Sequence, residues 1–273
     1  MKSGSGLLGI LLLVVSIVAA MCAAGGATEP QFDASTPMAE LKALATKGDT
    51  DAMLEYGTRL VEGQGVDTST TEGLDWLQKA ADAGNAQAWY AIGFVYSNGV
   101  GVELDMAKSV QYYRKGAEAG DVDCQMGMGM IYQAGEKIPT GVKADPAEAV
   151  KWYQMAADQD YTHAMQHLAM LYTRGEGVER DYAKALEWFR KGAELGNADC
   201  MWGLGRCYLD GKGVQQDSVM AYALCSASLD GVENPEQKQA MTARRDKLGE
   251  ALTAGQLKNA EPIIQEWKAK EKK

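Results

Sequence analysis

The sequence predicts an all-α fold, a solenoid of about five helical hairpins with capping helices on either side. Two observations carry this. The run "NGVGVELDMAKSVQYYRKGAEAGD" at 98–121 returns seventy-six residues later, little changed, as "RGEGVERDYAKALEWFRKGAELGN" at 174–197. Inside each copy the apolar residues recur every fourth place, as on one face of a helix, and do not alternate as in a strand. A single hairpin cannot bury both of its apolar stripes, so it needs a copy of itself on each side.

From Asp49 the chain divides into units 49–84, 85–120, 121–160, 161–196 and 197–231; three have 36 residues, the third carries four more and the last is one short. Position 8 reads Tyr56, Ile92, Met128, Leu168, Leu204, and position 12 reads Leu60, Tyr96, Tyr132, Tyr172, Tyr208. With position 4 these make the apolar stripe of a first helix, and the position-12 tyrosines are read as packing residues. Gly63, Gly99, Gly135, Gly175 and Gly211 end that helix, where a left-handed residue costs glycine least. Ser69, Asp105, Asp145, Asp181 and Asp217 open a second helix as N-caps, Ser69 forming a capping box with Glu72. Gly or Ala on the second helix (Ala80, Gly116, Ala156, Gly192) lets neighbouring helices approach, and Gly84, Gly120 and Gly196 stop it; the third unit has Asp160 at that stop.

The run G-x-G-V-x-x-D-Y-x-K-A-L-E-W-F-R-K-G-A-E-x-G resembles the Sel1-like repeat, a relative of the tetratricopeptide repeat, over residues 49–231. The third unit departs from it, with "GEKIPTGVKADP" lengthening the loop. The resemblance implies a right-handed α-solenoid of the exported bacterial type, with a binding or scaffolding role and no catalysis. On this reading 36–48 is an N-terminal capping helix and 232–273 supplies C-terminal capping helices, the last opened by a Thr253–Gln256 capping box.

Residues 1–27 read as a signal peptide: Lys2, an apolar run from Leu7 to Ala20, then small residues. An uncleaved membrane anchor and a lipoprotein cysteine at Cys22 stay open as alternatives. In each case the body lies outside the cytoplasm, most simply in the periplasm, with membrane attachment only if the leader is retained; secretion is the remaining route. The four later cysteines, Cys124, Cys200, Cys207 and Cys225, match no zinc spacing. Cys200 and Cys207 sit about 10 Å apart along one helix, too far to bond each other. A bridge from Cys225 to either stays open.

A formal charge of −10 argues against nucleic acid as partner and suits a partner with a basic patch. No GxSxG, HExxH, P-loop or dinucleotide motif occurs, and the Ser-x-x-Lys of a β-lactam-type enzyme is absent from any helix start. No cofactor is implied. His163 and His167, four apart, are the weak metal candidates. The stronger signal is a set of large apolar residues beside the core stripe. Met53, Trp89, Met165 and Met201 stand at position 5, and Tyr90 and Trp202 at position 6. In related solenoids the first helices line the concave face, so these residues are the candidate anchors for a protein or peptide partner. The expected function is a non-enzymatic interaction scaffold outside the cytoplasm. The alternatives are a periplasmic immunity-type inhibitor of a secreted toxin enzyme and a secreted virulence-related factor.

Overall fold

The computed structural model describes Phe32 and residues 35–271, so the leader reading of 1–27 falls outside it. Among the described residues there are thirteen α-helices and no strand. Helix α1 (Met38–Thr46) stands alone before the array. The hairpins are α2 (Thr50–Glu62) with α3 (Thr70–Asp82), α4 (Ala86–Asn98) with α5 (Met106–Glu118), and α6 (Val122–Ala134) with α7 (Pro146–Ala157). They continue with α8 (Thr162–Arg174) and α9 (Tyr182–Glu194), then α10 (Ala198–Asp210) and α11 (Ser218–Ala227). Two closing helices follow, α12 (Pro235–Glu250) and α13 (Ala254–Glu271). The repeats pack as an all-α solenoid.

The helices start where the sequence offers a side-chain acceptor. Asp105 accepts from the Lys108 N–H at 2.8 Å, and Asp145, Asp181 and Asp217 each take the N–H groups two and three residues ahead. Ser69 differs. Its side chain makes no capping bond, and its own N–H, which a capping box would give to Glu72, is taken by the Leu60 carbonyl at 2.8 Å. The same backbone bond recurs as Asp105 to Tyr96, Asp145 to Tyr132, Asp181 to Tyr172 and Asp217 to Tyr208, all between 2.9 and 3.0 Å. It closes every hairpin at one register, the third included. At Thr253 the expected box does form, with Gln256 accepting from the Thr253 N–H at 2.9 Å. A second set of caps escapes the sequence reading: Asp49, Asn85, Asp121, Asn197 and Asn234 open the first helix of a hairpin, or α12, in the same way.

The extra residues of the third repeat are tied down. A 3₁₀ turn at Gly135–Lys137 leads to Ile138, which is buried against Val110, Tyr113 and Trp152. Asp160, the residue in a glycine's place, has φ of 63°. Asp tolerates that region better than most residues, and its carboxylate pairs with Lys191 at 2.9 Å.

The chain forms two compact units, one up to Met155 and one from Ala156. In the first, Leu41, Tyr56 and Leu60 seal α1 against α2, and Leu77, Ala88, Ile92 and Val95 fill the seam from α3 to α4. In the second, Leu186, Phe189, Met201, Leu204 and Leu224 form the centre, closed by Trp267 of α13. Each Leu, Ile, Val, Phe or Met among them contributes about 1.5–3 kcal/mol on burial. The cysteines belong to these cores. All four are buried, and Cys225 is bonded to neither Cys200 nor Cys207, so the bridge left open for it is absent from this structure. The Cys200 thiol lies against Gly192, and the Cys124 thiol against Gly116.

Candidate partner-binding grooves

A helix turns about 100° per residue, so neighbouring positions face different things. Position 5 faces the seam between the two helices of its own hairpin. The Trp89 Cβ lies 3.0 Å from where a Cβ on Gly116 would stand, and the Met165 Cβ lies 3.6 Å from the same point on Gly192. Met165 and Met201 are 0% exposed. They are core residues, and the reading of them as partner anchors is corrected: no partner reaches a side chain sealed inside the seam. Met53 is half-buried against the cluster around Ile92. Trp89 stacks on Tyr112 at 6.0 Å, and Tyr112 on Tyr96 at 5.6 Å. The Lys115 ammonium sits 4.7 Å from the Trp89 ring. Met53 and Trp89 therefore support packing at the hairpin seam.

Position 6 turns toward the neighbouring first helix, although Tyr90 also meets Tyr113 of α5 at 5.6 Å and Met126 is buried. In the first unit Leu54 and Tyr90 line a groove of about 440 Å³ between α2 and α4. Thr58, Val61 and Phe94 extend it along the same stripe, and Asp123 of α6 stands at its edge. In the second unit Gln166 and Trp202 line a groove of about 350 Å³ between α8 and α10, extended by Met170 and Arg206. Trp202 also rests on the Leu229, Val232 and Met241 cluster, which holds its ring in place. Of the six anchors expected from sequence, Tyr90 and Trp202 line the grooves. Positions 3, 10 and 14 were missed, although they follow from position 6 by helical spacing.

The grooves differ in charge. Glu55, Glu62 and Asp123 line the first, with no Lys or Arg among its described lining residues. Burial, with the nearby Glu55 carboxylate, raises the Glu62 pKa. Arg174, Arg206 and Lys212 line the second, beside Asp199 and Asp210.

The two histidines stand on α8, at positions 3 and 7 of the fourth repeat. Burial lowers the His163 pKa, the Asp199 carboxylate opposing it; His167 is pushed down to about 4, first by burial and then by His163 and Arg174. Among the described residues no three His, Cys, Asp or Glu side chains gather to hold a metal. The neutral ring has a consequence for stability. Between pH 6.5 and about 4 the unfolded chain binds a proton that folded His167 refuses, so this contribution is lost as pH falls through that window. The loss is on the order of 2–3 kcal/mol. Asp121, raised to about 6 by burial despite its bond from the Cys124 N–H, works in the opposite sense. Denaturant unfolding of wild type and His167→Leu from pH 7 to 4 separates the two: wild type should lose stability relative to the variant on acidification.

Paired helices with a side-chain-lined groove between successive first helices define a tandem helical-repeat protein. The Sel1 repeat pattern matches five times, at residues 50–85, 86–121, 122–161, 162–197 and 198–230, and the chain belongs to the Sel1 repeat family. A Sel1 repeat protein from Oxalobacter formigenes is 30% identical with a TM-score of 0.57, the match covering 77% of this chain and 99% of that one. The protein c5321, a protective antigen of uropathogenic Escherichia coli displaying an SLR fold, is 24% identical with a TM-score of 0.51; the match covers 96% of this chain and spans 61% of that protein. The immunity protein Pa5087 from Pseudomonas aeruginosa aligns at 19% identity with a TM-score of 0.43, over 87% of this chain and 81% of that one. A comparison with curated proteins found no match. The Sel1 repeat is a fold suited to protein–protein interaction.

Proposed function

We propose that the protein is a non-enzymatic scaffold outside the cytoplasm that holds a protein or peptide partner in the grooves between its first helices. One observation carries this reading: the groove stripe keeps large side chains, Tyr90 with Phe94 and Trp202 with Met170, that are only half-buried. Tyr90, Trp202 and Met170 pack on the core with one side, and all four line a groove with the other. Aromatic residues at a solvent-reached groove supply contact area at low entropic cost, and Met adapts its shape to a partner. The leader pattern of residues 1–27 supports export.

The test is affinity capture from cells expressing the full chain, with fractionation to locate it. Wild type, Tyr90→Ala and Trp202→Ala are compared by quantitative mass spectrometry. A partner recovered from the extracytoplasmic fraction with wild type should fall at least tenfold with one groove variant, while circular dichroism shows both variants folded. An identical partner set for all three chains overturns the groove reading.

A further inference from the structure

We infer that the groove of the first unit is shaped for a partner segment in which an apolar side chain is flanked by Lys or Arg. This rests on the scaffold reading and names the chemistry of its partner. The floor is apolar, formed by Leu54, Val61, Ala91 and Phe94 with the Tyr90 ring beside them. Its volume, about 440 Å³, lies within the range of cavities that enclose small ligands, and it admits one or two side chains. Apolar burial there supplies affinity, at about 25 cal/mol per Å² of surface removed from water.

The rim supplies selectivity. Glu55 and Glu62 come from α2 and Asp123 from α6, so carboxylates reach the groove from two helices. The Glu55 charge is answered from behind, by the Arg59 guanidinium, which also donates to the Thr36 carbonyl at 2.7 Å. Glu62 instead accepts from the neutral Gln64 amide, and burial, with the Glu55 carboxylate beside it, raises its pKa. An ammonium or guanidinium arriving with the partner would give that carboxylate a cationic partner.

The fold does not impose this acidity. Position 14 is Glu62 on α2 and Arg174 on α8; position 10 is Thr58 and Phe94 on one pair of helices and Met170 and Arg206 on the other. The same stripe in the second groove carries both signs, Arg174 and Arg206 with Asp199 and Asp210. Packing accepts either sign, so the sign is available to select a partner. The chain's formal charge of −10 adds a long-range pull on a basic segment.

A random dodecapeptide display library panned against the full chain tests the inference. Peptides enriched on wild type should place Leu, Phe or Trp beside Lys or Arg. A synthetic peptide of that consensus should bind Glu62→Lys at least tenfold more weakly, and should weaken several-fold on wild type between 50 and 300 mM NaCl. Thr58→Tyr, which fills the groove, and Tyr90→Ala, which opens it, should both lower binding while the far-ultraviolet spectrum stays helical. If enriched peptides depend on Tyr90 and Thr58 but bind Glu62→Lys equally well, the charge inference falls and the groove reading stands. If no enriched peptide responds to Tyr90 or Thr58, the groove reading falls and takes the inference with it.

Discussion

Gly192→Ala is expected to destabilise the protein by about 1–3 kcal/mol, the usual cost of overpacking, and adding Cys200→Ala is expected to restore most of that loss. The added methyl would stand 2.4 Å from the Cys200 Sγ and 3.0 Å from its Cβ. Gly116 and Cys124 meet in the same way, at 2.4 and 3.1 Å. Where the second helix carries Ala in place of Gly, the next first helix carries Ala in place of Cys: Ala80 precedes Ala88, and Ala156 precedes Ala164. All four of those alanines are 0% exposed. The seam thus conserves volume, Gly with Cys or Ala with Ala, and the double variant converts one solution into the other. Urea unfolding of both single variants and the double variant gives the coupling energy. Additive losses would show that the thiol has a role other than filling space. Burial raises the Cys200 thiol well above its ordinary pKa, which agrees with an inert filler.

Met201→Ala is expected to cost about 2–5 kcal/mol, the range for a buried Met, whereas Met201→Leu should cost under about 1.5 kcal/mol and bind partner as wild type does. Met201 is 0% exposed, in one cluster with Leu204, Phe189 and Leu224. Its neighbour Trp202 lines the groove. The two adjacent residues therefore separate stability from binding: thermal unfolding should respond chiefly to Met201, and peptide affinity to Trp202. A Met201→Ala chain with wild-type stability and lost binding would return Met201 to the surface and overturn the assignment of position 5.

Much of the architecture was legible in the residues. The 36-residue period, the glycine helix ends at Gly63, Gly99, Gly175 and Gly211, and the Asp caps of the second helices all appear as expected. Each is a local matter, settled by one residue's backbone freedom or one side chain's reach. Ser69 was misread because its N–H is claimed by a carbonyl on another helix, which local pattern does not reveal. The caps at Asp49, Asn85, Asp121 and Asn197 do carry a local signal, an Asp or Asn directly after a glycine.

The candidate site was legible only in part. Positions 5 and 6 both adjoin the 4–8–12 stripe in sequence, and both carry Trp and Met in some repeats. Composition cannot rank them. What distinguishes them is the side on which the hairpin partner lies. With Gly116 and Gly192 set against Trp89 and Met165, position 5 closes into the seam, and a turn of about 100° sets Tyr90 and Trp202 at position 6 toward the preceding repeat's first helix.

The amino-acid sequence alone determined that this chain is a stack of capped helical pairs, because periodicity, helix stops and caps act within a few residues of one another. Tertiary structure alone decided which flank of each first helix is sealed and which lies open, and hence that Tyr90 and Trp202 line grooves while Met165 and Met201 hold the core. That choice depends on which surface a neighbouring helix covers, and such coverage exists only once the helices have packed.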